Sequence, residues 1–265
     1  MDEKLSKIFI KMPPIETHLS EDLYREFVKV LFDDISSLNN PDDFIEPYIY
    51  PVENIQKIAE SNNIEYKESI RSMADDLWDK EDWLNSVMVF YILMHIITFL
   101  PTDFYKMGYS FAKLGHKELG EKFVNIYEPL SRNKKITCHA IGNFYYTAME
   151  LPYKALPFLE KYTEFDPDNP LVWLTLGHCC SDVGDELSKE KQLNAYSKAY
   201  ELNPNDATIV KSLLTYYEKE HNDAKVKELY PKLIELAPSP RHYLNYGLYL
   251  MSWGNIYEGC SFFRE

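Results

Sequence analysis

The sequence predicts an all-α fold, a solenoid of stacked helix pairs, and three observations lead to that prediction. A pattern of large and small residues recurs at a period of about 34 residues along most of the chain. Proline stands at the boundaries between copies, where it cannot continue a helix. Within each copy, apolar residues recur at the spacing of one helix face. Each copy is therefore expected to form one pair of helices.

Residues 1–66 do not show the repeat clearly, and we expect them to form an N-terminal helical cap. Ser20 is a suitable N-cap for a helix whose apolar stripe runs over residues 23–35 and which ends before Pro41. Pro51 is placed to begin a second helix. Repeat arrays need such caps because the face of their first repeat is otherwise exposed. The alternative interpretation is a small separate docking domain.

The clearest repeat begins at Pro170. Its characteristic residues are Trp173, Leu176 and Gly177 in the first helix and Ala195, Tyr196 and Ala199 in the second, followed by Pro204. Here the chain resembles the tetratricopeptide repeat (TPR) family, which has Leu-Gly in one helix, a small residue and an aromatic in the next, and then proline. Small residues let the two helices approach closely, and large ones fill the seam between repeats. The resemblance implies a right-handed superhelical solenoid.

Further repeats keep the same register on both sides of this one. They cover roughly residues 67–100, 101–134, 135–169, 207–239 and 240–265, of which the last is incomplete. The array is therefore predicted to occupy residues 67–265 as five full repeats and a truncated sixth. Because the chain stops inside the second helix of the sixth repeat, we expect it to be a fragment of a longer protein.

Three repeats depart from the regular pattern. In the third repeat the small residue Ala155 comes one position late, which predicts a longer turn or a bulge. In the fourth, an insertion at residues 185–190 is expected to lengthen either the turn or the start of the second helix. In the fifth, Leu213-Leu214 stands where Leu-Gly is usual, so its two helices are expected to lie further apart.

Composition and charge exclude several classes of protein. The 42 acidic against 28 basic residues give a net charge of −14, which disfavours binding to nucleic acid. The most apolar stretch, residues 86–100, is shorter than the roughly 20 residues that span a bilayer. The first residues contain no apolar core of signal-peptide length, and the four cysteines are not spaced as a disulfide framework. We therefore expect a cytoplasmic protein with no membrane span.

Candidate chemistry in the chain is sparse. The pairs Cys138-His139 and His178-Cys179 lie on neighbouring predicted helices, and thiolates with imidazoles are zinc ligands. Because Cys138 and Cys180 fall at apolar seam positions, we interpret these cysteines as small core residues. No phosphate-binding glycine motif and no His-Glu-x-x-His motif occurs. The sequence predicts no catalytic residue, no metal and no cofactor, and therefore no enzymatic activity for this chain alone.

The resemblance to the TPR family also implies where a partner binds. In that family the first helix of each repeat lines a concave groove, which is expected to hold a protein or peptide. The corresponding residues in this chain are Tyr105, Tyr109, His139, Asn143, Tyr146, Leu174, His178 and Lys211. Asn143 is expected to bond a peptide backbone. The carboxylate clamp of chaperone-binding TPR proteins is incomplete, because His139 stands where lysine is expected and Thr175 where asparagine is expected.

The leading functional prediction is a protein–protein interaction module, and two narrower alternatives stay open. Residues 246–264 resemble the last repeat of bacterial proteins that join a TPR array to a glycosyltransferase domain. This would make the chain the acceptor-recognition arm of a protein glycosyltransferase. Acidic TPR chaperones of secreted proteins are similar around residues 67–130, although they are much shorter. The oligomeric state is not predicted.

Overall fold

The computed structural model describes Glu26 and residues 66–96, 100–252, 254–255 and 259–260. The predicted N-terminal cap, with its helix N-cap at Ser20, therefore lies outside the described residues and stays a prediction. The glycosyltransferase resemblance rests on residues 246–264, of which residues 253, 256–258 and 261–264 also lie outside the described residues.

The described part of the chain contains eleven α-helices and no β-strand. In chain order they are α1 (Tyr66–Asp79), α2 (Trp83–Ile96), α3 (Pro101–Lys113), α4 (Lys117–Leu130), α5 (Lys134–Asn143), α6 (Pro152–Phe165), α7 (Pro170–Val183), α8 (Glu186–Leu202), α9 (Ala207–Lys219), α10 (Asp223–Leu236) and α11 (Pro240–Ser252). A π-helical turn over Phe144–Ala148 extends α5. Helices α1, α3, α5, α7, α9 and α11 begin within one residue of the predicted starts of the six repeats.

Two compact units divide the chain between Glu150 and Leu151. The division lies inside the third repeat, so that α5 and its π-helical turn belong to the first unit and α6 belongs to the second. The sequence pattern did not predict this division, because it continues through the third repeat without a break.

Short-range signals in the sequence explain where the helices begin. Proline is the first residue of α3, α6, α7 and α11, where the missing N–H removes no helical bond. Asparagine or aspartate side chains accept backbone N–H groups at the starts of α5, α7, α8, α9 and α10. At the end of α7, Gly184 has φ of 73° and stops the helix in the left-handed conformation that glycine adopts readily.

Each unit has its own hydrophobic core. In the first unit, the ring of Phe123 from α4 lies against those of Phe104 and Phe111 from α3, at centroid distances of 6.5 and 5.6 Å. In the second unit, fourteen buried residues from α7 to α11 form one cluster, which includes Leu174, Leu213 and Leu229. Burial of these side chains supplies most of the driving force for folding.

Glycines let paired helices come into close contact, as the repeat pattern predicted. A Cβ atom on Gly120 of α4 would lie 2.5 Å from the carbonyl oxygen of Gly108 on α3. A Cβ atom on Gly177 of α7 would lie 2.4 Å from the ring of Tyr196 on α8. Neither distance is compatible with a side chain larger than hydrogen unless the neighbour moves.

The structure resolves the three departures from the regular repeat. The extra residue before Ala155 is accommodated by the π-helical turn in the first helix of the third repeat, which is the predicted bulge. The insertion in the fourth repeat lengthens the second helix, since α8 has 17 residues and α7 has 14. In the fifth repeat α9 and α10 pack less closely than α7 and α8, with Leu214 buried.

Candidate functional site

Two predicted groove residues of the first unit, Tyr105 and Tyr109, belong to a cluster of aromatic rings. Tyr109 lies 5.5 Å from Trp78 and 5.4 Å from Trp83, and Tyr105 lies 5.5 Å from Tyr127, between ring centroids. Only 8% of Tyr109 is exposed. Burial raises the pKa of Tyr105 above the usual tyrosine value. These rings are mainly packing contacts, so replacing Tyr109 would disturb the unit as well as any partner.

Asn143 is held by hydrogen bonds within the protein. Its Nδ2 donates to Tyr105 Oη at 3.4 Å, and its Oδ1 accepts from Thr147 Oγ1 at 3.3 Å. Thr147 Oγ1 also lies 2.7 Å from the Asn143 carbonyl oxygen and 2.8 Å from Tyr109 Oη. Because the single threonine proton points to residue 143, Tyr109 is the donor to Thr147. The Asn143 amide is therefore only partly available to the backbone of a bound peptide.

The remaining predicted residues of the first unit lie at the surface. His139 of α5 is exposed, and Tyr146 of the π-helical turn is half-buried.

Two lysines donate hydrogen bonds to the backbone where the π-helical turn interrupts the α-helical hydrogen bonds. Lys113 donates to the carbonyl oxygen of Thr147 at 2.7 Å, and Lys117 donates to that of Met149 at 3.0 Å.

The second unit contains a cavity of about 340 Å³ between α7, α8 and α9, which we call the α7–α9 cavity. All ten lining side chains carry a hydrogen-bonding group: His178, Ser181, Gln192, Tyr196, Thr208, Lys211, Ser212, Thr215, Tyr216 and Lys219. Two of the three residues predicted for this unit, His178 and Lys211, are among them. Leu174, the third, is 7% exposed and packs in the core, so it is poorly placed to contact a partner.

Sequence reasoning missed most of the cavity lining. Gln192 and Tyr196 come from α8, whereas only first helices were expected to contribute. A usable signal was present on α9, since Lys211, Thr215 and Lys219 recur every four residues and therefore share one helix face.

His178 and Ser212, which both line the α7–α9 cavity, are joined by a hydrogen bond. Ser212 Oγ lies 2.9 Å from the Thr208 carbonyl oxygen, to which it donates, and 2.9 Å from His178 Nε2. The serine has one proton, so His178 must donate from Nε2, and its Nδ1 is then an acceptor in the neutral ring. Burial lowers the pKa of His178, which favours this neutral form, although the nearby Asp182 carboxylate opposes the shift.

The neighbouring serine and histidine do not form the arrangement that nucleophilic catalysis requires. The Ser212 proton points to the Thr208 carbonyl oxygen, whereas a nucleophilic serine gives its proton to the histidine. Both residues lie inside helices, where backbone N–H groups are already bonded and cannot stabilise an oxyanion. The cavity can therefore hold polar groups by hydrogen bonds and charge, but its geometry does not favour acyl transfer.

Three of the four cysteines are packing residues. Cys138, Cys179 and Cys180 are buried, whereas Cys260 is exposed. Burial raises the pKa of Cys179 to about 12 and that of Cys180 to about 11, so both stay protonated and unreactive near neutral pH. Within the described ranges, no group of three His, Cys, Asp or Glu side chains is arranged to hold a metal ion.

Comparison with known proteins finds similarity in structure. No protein-family model matches the chain, and no curated protein matches it. MamA of Desulfovibrio magneticus RS-1, from residue 41 to its end, superposes with a TM-score of 0.54 at 18% identity, over 66% of this chain and 99% of that one. Another MamA crystal structure gives 0.53 at 22% identity, over 62% and 88%. YrrB, described as a TPR protein with an unusual peptide-binding site, gives 0.52 at 16% identity, over 71% and 94%.

The chain has the TPR fold. The predicted all-α class and the resemblance stated from the Pro170 repeat are thereby confirmed. The sequence identities are too low to transfer a binding partner, so the likeness concerns the fold alone. Among the described helices, none combines the length and apolar composition needed to cross a bilayer.

Proposed function

We propose that this TPR chain is a polypeptide-binding module, and that a segment of its partner binds in the α7–α9 cavity. The observation that carries the proposal is the lining of that cavity, where ten polar side chains from three helices face one opening. The donors and acceptors on these side chains suit a peptide, whose backbone presents an N–H and a C=O at every residue.

Two further observations support binding over catalysis. His178 and Ser212 use their polar atoms in hydrogen bonds that position them without activating either one. YrrB, which has the same fold, is described as having a peptide-binding site. The aromatic cluster of the first unit is a second candidate surface, but most of its ring area is used in packing.

The two narrower functions remain proposals of the sequence. The glycosyltransferase arm rests on the sequence of residues 246–264, which the structure describes only in part. The chaperone of secreted proteins rests on a similarity in residues 67–130. Both would use the same polypeptide-binding property, and neither is favoured by a particular contact in the described structure.

The proposal is tested by placing a photoreactive residue in the cavity and asking which peptides it captures. A benzoylphenylalanine at Thr215, which is exposed and lines the cavity, is expected to cross-link a restricted set of sequences from a random peptide library. The same group at Lys161, exposed on α6 and outside the cavity, serves as the matched control. Equal, unselective cross-linking at the two positions would contradict the proposal.

A blocking variant gives an independent measurement. Thr215→Trp fills the opening with a large ring and is expected to weaken binding of the captured peptide at least tenfold in fluorescence anisotropy. Lys161→Trp adds the same ring elsewhere on this unit and is expected to leave the affinity unchanged. Circular dichroism of both variants checks that the helices are intact.

A further inference from the structure

We infer that the α7–α9 cavity selects an internal acidic segment, with two carboxylate side chains three or four residues apart. This inference rests on the proposed function and specifies the chemistry of the segment bound at that site.

The cavity lining is positively charged in a strongly acidic protein. Lys211 and Lys219 contribute two ammonium groups, and no lining residue is acidic. Neither ammonium group forms an ion pair or hydrogen bond with any described residue. By contrast, Lys191 and Lys225 in the same unit each pair with a glutamate. Asp182 and Glu220 lie outside the lining, and their negative charges act on His178 and Tyr216, respectively.

The two lysines lie along one edge of the cavity. Lys211 and Lys219 are eight positions apart on α9, which is about 12 Å along the helix axis. An extended peptide advances about 3.3 Å per residue, so 12 Å corresponds to three or four residues. Two acidic side chains at that separation can each meet one ammonium group. A single chain-terminal carboxylate can meet only one of them without bringing the lysines together.

The groups between the lysines are acceptors. Thr215 donates its proton to the Lys211 carbonyl oxygen at 2.9 Å, and Ser212 donates to that of Thr208 at 2.9 Å. Each hydroxyl oxygen then offers lone pairs to the cavity, as does His178 Nδ1 in the neutral ring. Backbone N–H groups of the segment between its two carboxylates are the donors that fit. Along α9 the cavity therefore has one lysine on each side of the acceptors Ser212 and Thr215.

The experiment uses the full chain and labelled peptides of serine and threonine with glutamate at positions i and i+4, amidated at the C-terminus. Fluorescence anisotropy is expected to show binding that weakens at least tenfold when both glutamates become glutamine. Binding is also expected to weaken as NaCl rises from about 50 to about 300 mM, since exposed ion pairs are screened. A peptide with a free C-terminal carboxylate and no glutamate is expected to bind no better than the glutamine peptide.

Charge variants of the protein complete the test. Lys211→Gln with Lys219→Gln is expected to lose at least tenfold in affinity, whereas Lys161→Gln with Lys227→Gln, two exposed lysines of the same unit, keeps it. Unchanged binding of the acidic peptide to the Lys211/Lys219 variant would overturn the inference. If Thr215→Trp blocks binding of a captured peptide while replacing both lysines leaves its affinity unchanged, that result would contradict the acidic segment and support the binding site. If neither change matters, the proposed site itself is wrong.

Discussion

At the scale of single residues, glycine decides how closely two helices of a repeat approach. The two glycine contacts differ in what opposes a methyl group. At Gly120 the neighbour is the backbone oxygen of Gly108, which moves only if α3 and α4 separate. At Gly177 the neighbour is the Tyr196 ring, a side chain that is itself 4% exposed and enclosed by the core. The same substitution therefore meets a rigid obstacle in one repeat and a partly adjustable one in the other.

We predict that Gly120→Ala destabilises its unit by about 2–3 kcal/mol and Gly177→Ala by about 1 kcal/mol, within the range for overpacking. Hydrogen exchange of α3–α4 and α7–α8 measures the two effects separately. The Tyr196→Leu background is the control, because without the ring Gly177→Ala should become neutral or stabilising through its higher helix propensity. Equal costs at both glycines would show that the backbone contact is not decisive.

At the scale of elements, the π-helical turn is the most informative feature. It accommodates one extra residue without breaking the first helix of the third repeat. Met149 N–H bonds the Phe144 carbonyl at 3.0 Å, five residues earlier. Lys113 of α3 and Lys117 of α4 donate hydrogen bonds to carbonyl groups near this turn. These bonds compensate for the α-helical hydrogen bonds that the turn interrupts.

We predict that Lys113→Ala destabilises this turn by about 1 kcal/mol, because the Thr147 carbonyl loses a charge-assisted donor at 2.7 Å. The readout is faster hydrogen exchange over Phe144–Glu150. Lys134→Ala, which removes an exposed lysine from the start of α5, is the matched control and should change little. Equal acceleration in both variants would mean that the ammonium group does not support the turn.

At the scale of the whole molecule, the chain consists of two compact units with separate cores. Repeat proteins are stabilised by contacts within a repeat and with the next one, so the effect of a core substitution should stay local. Some polar contacts join residues about one repeat apart in the sequence. Examples are the Lys106–Asp75 ion pair at 2.7 Å and the His178–Ser212 hydrogen bond at 2.9 Å. Stability is therefore expected to be distributed along the chain.

We predict that Leu229→Ala lowers the protection of α9–α11 by about 3 kcal/mol, as expected for a buried leucine, and leaves α3 and α4 unchanged. Leu119 in α4 is equally buried at 2% exposure, so Leu119→Ala should lower the protection of α3 and α4 and leave α9–α11 unchanged. Hydrogen exchange resolved by peptide measures both. A uniform loss of protection after either substitution would show that the chain unfolds as one cooperative body.

The candidate site was predicted less completely than the fold. His178 and Lys211 were predicted because the TPR resemblance implies which first-helix positions line the groove, and both line the proposed site. Gln192 and Tyr196 were missed because their approach to α7 and α9 depends on how α8 packs. Leu174 was assigned to the groove, yet it is buried. Positions within a single helix turn can lie either on the exposed face or in the seam between helices.

The sequence by itself determined the helix pairs, their starts and the glycine contacts, because proline, capping residues and helical periodicity act over a few neighbouring positions. It also indicated where the repeat was irregular, at Ala155 and at residues 185–190. Only the tertiary structure decided that one insertion becomes a π-helical turn and the other a longer helix. It alone divided the chain after Glu150 and brought Lys211 and Lys219, which form no ion pair with a described residue, to one cavity. These outcomes depend on packing between distant segments, which no local pattern specifies.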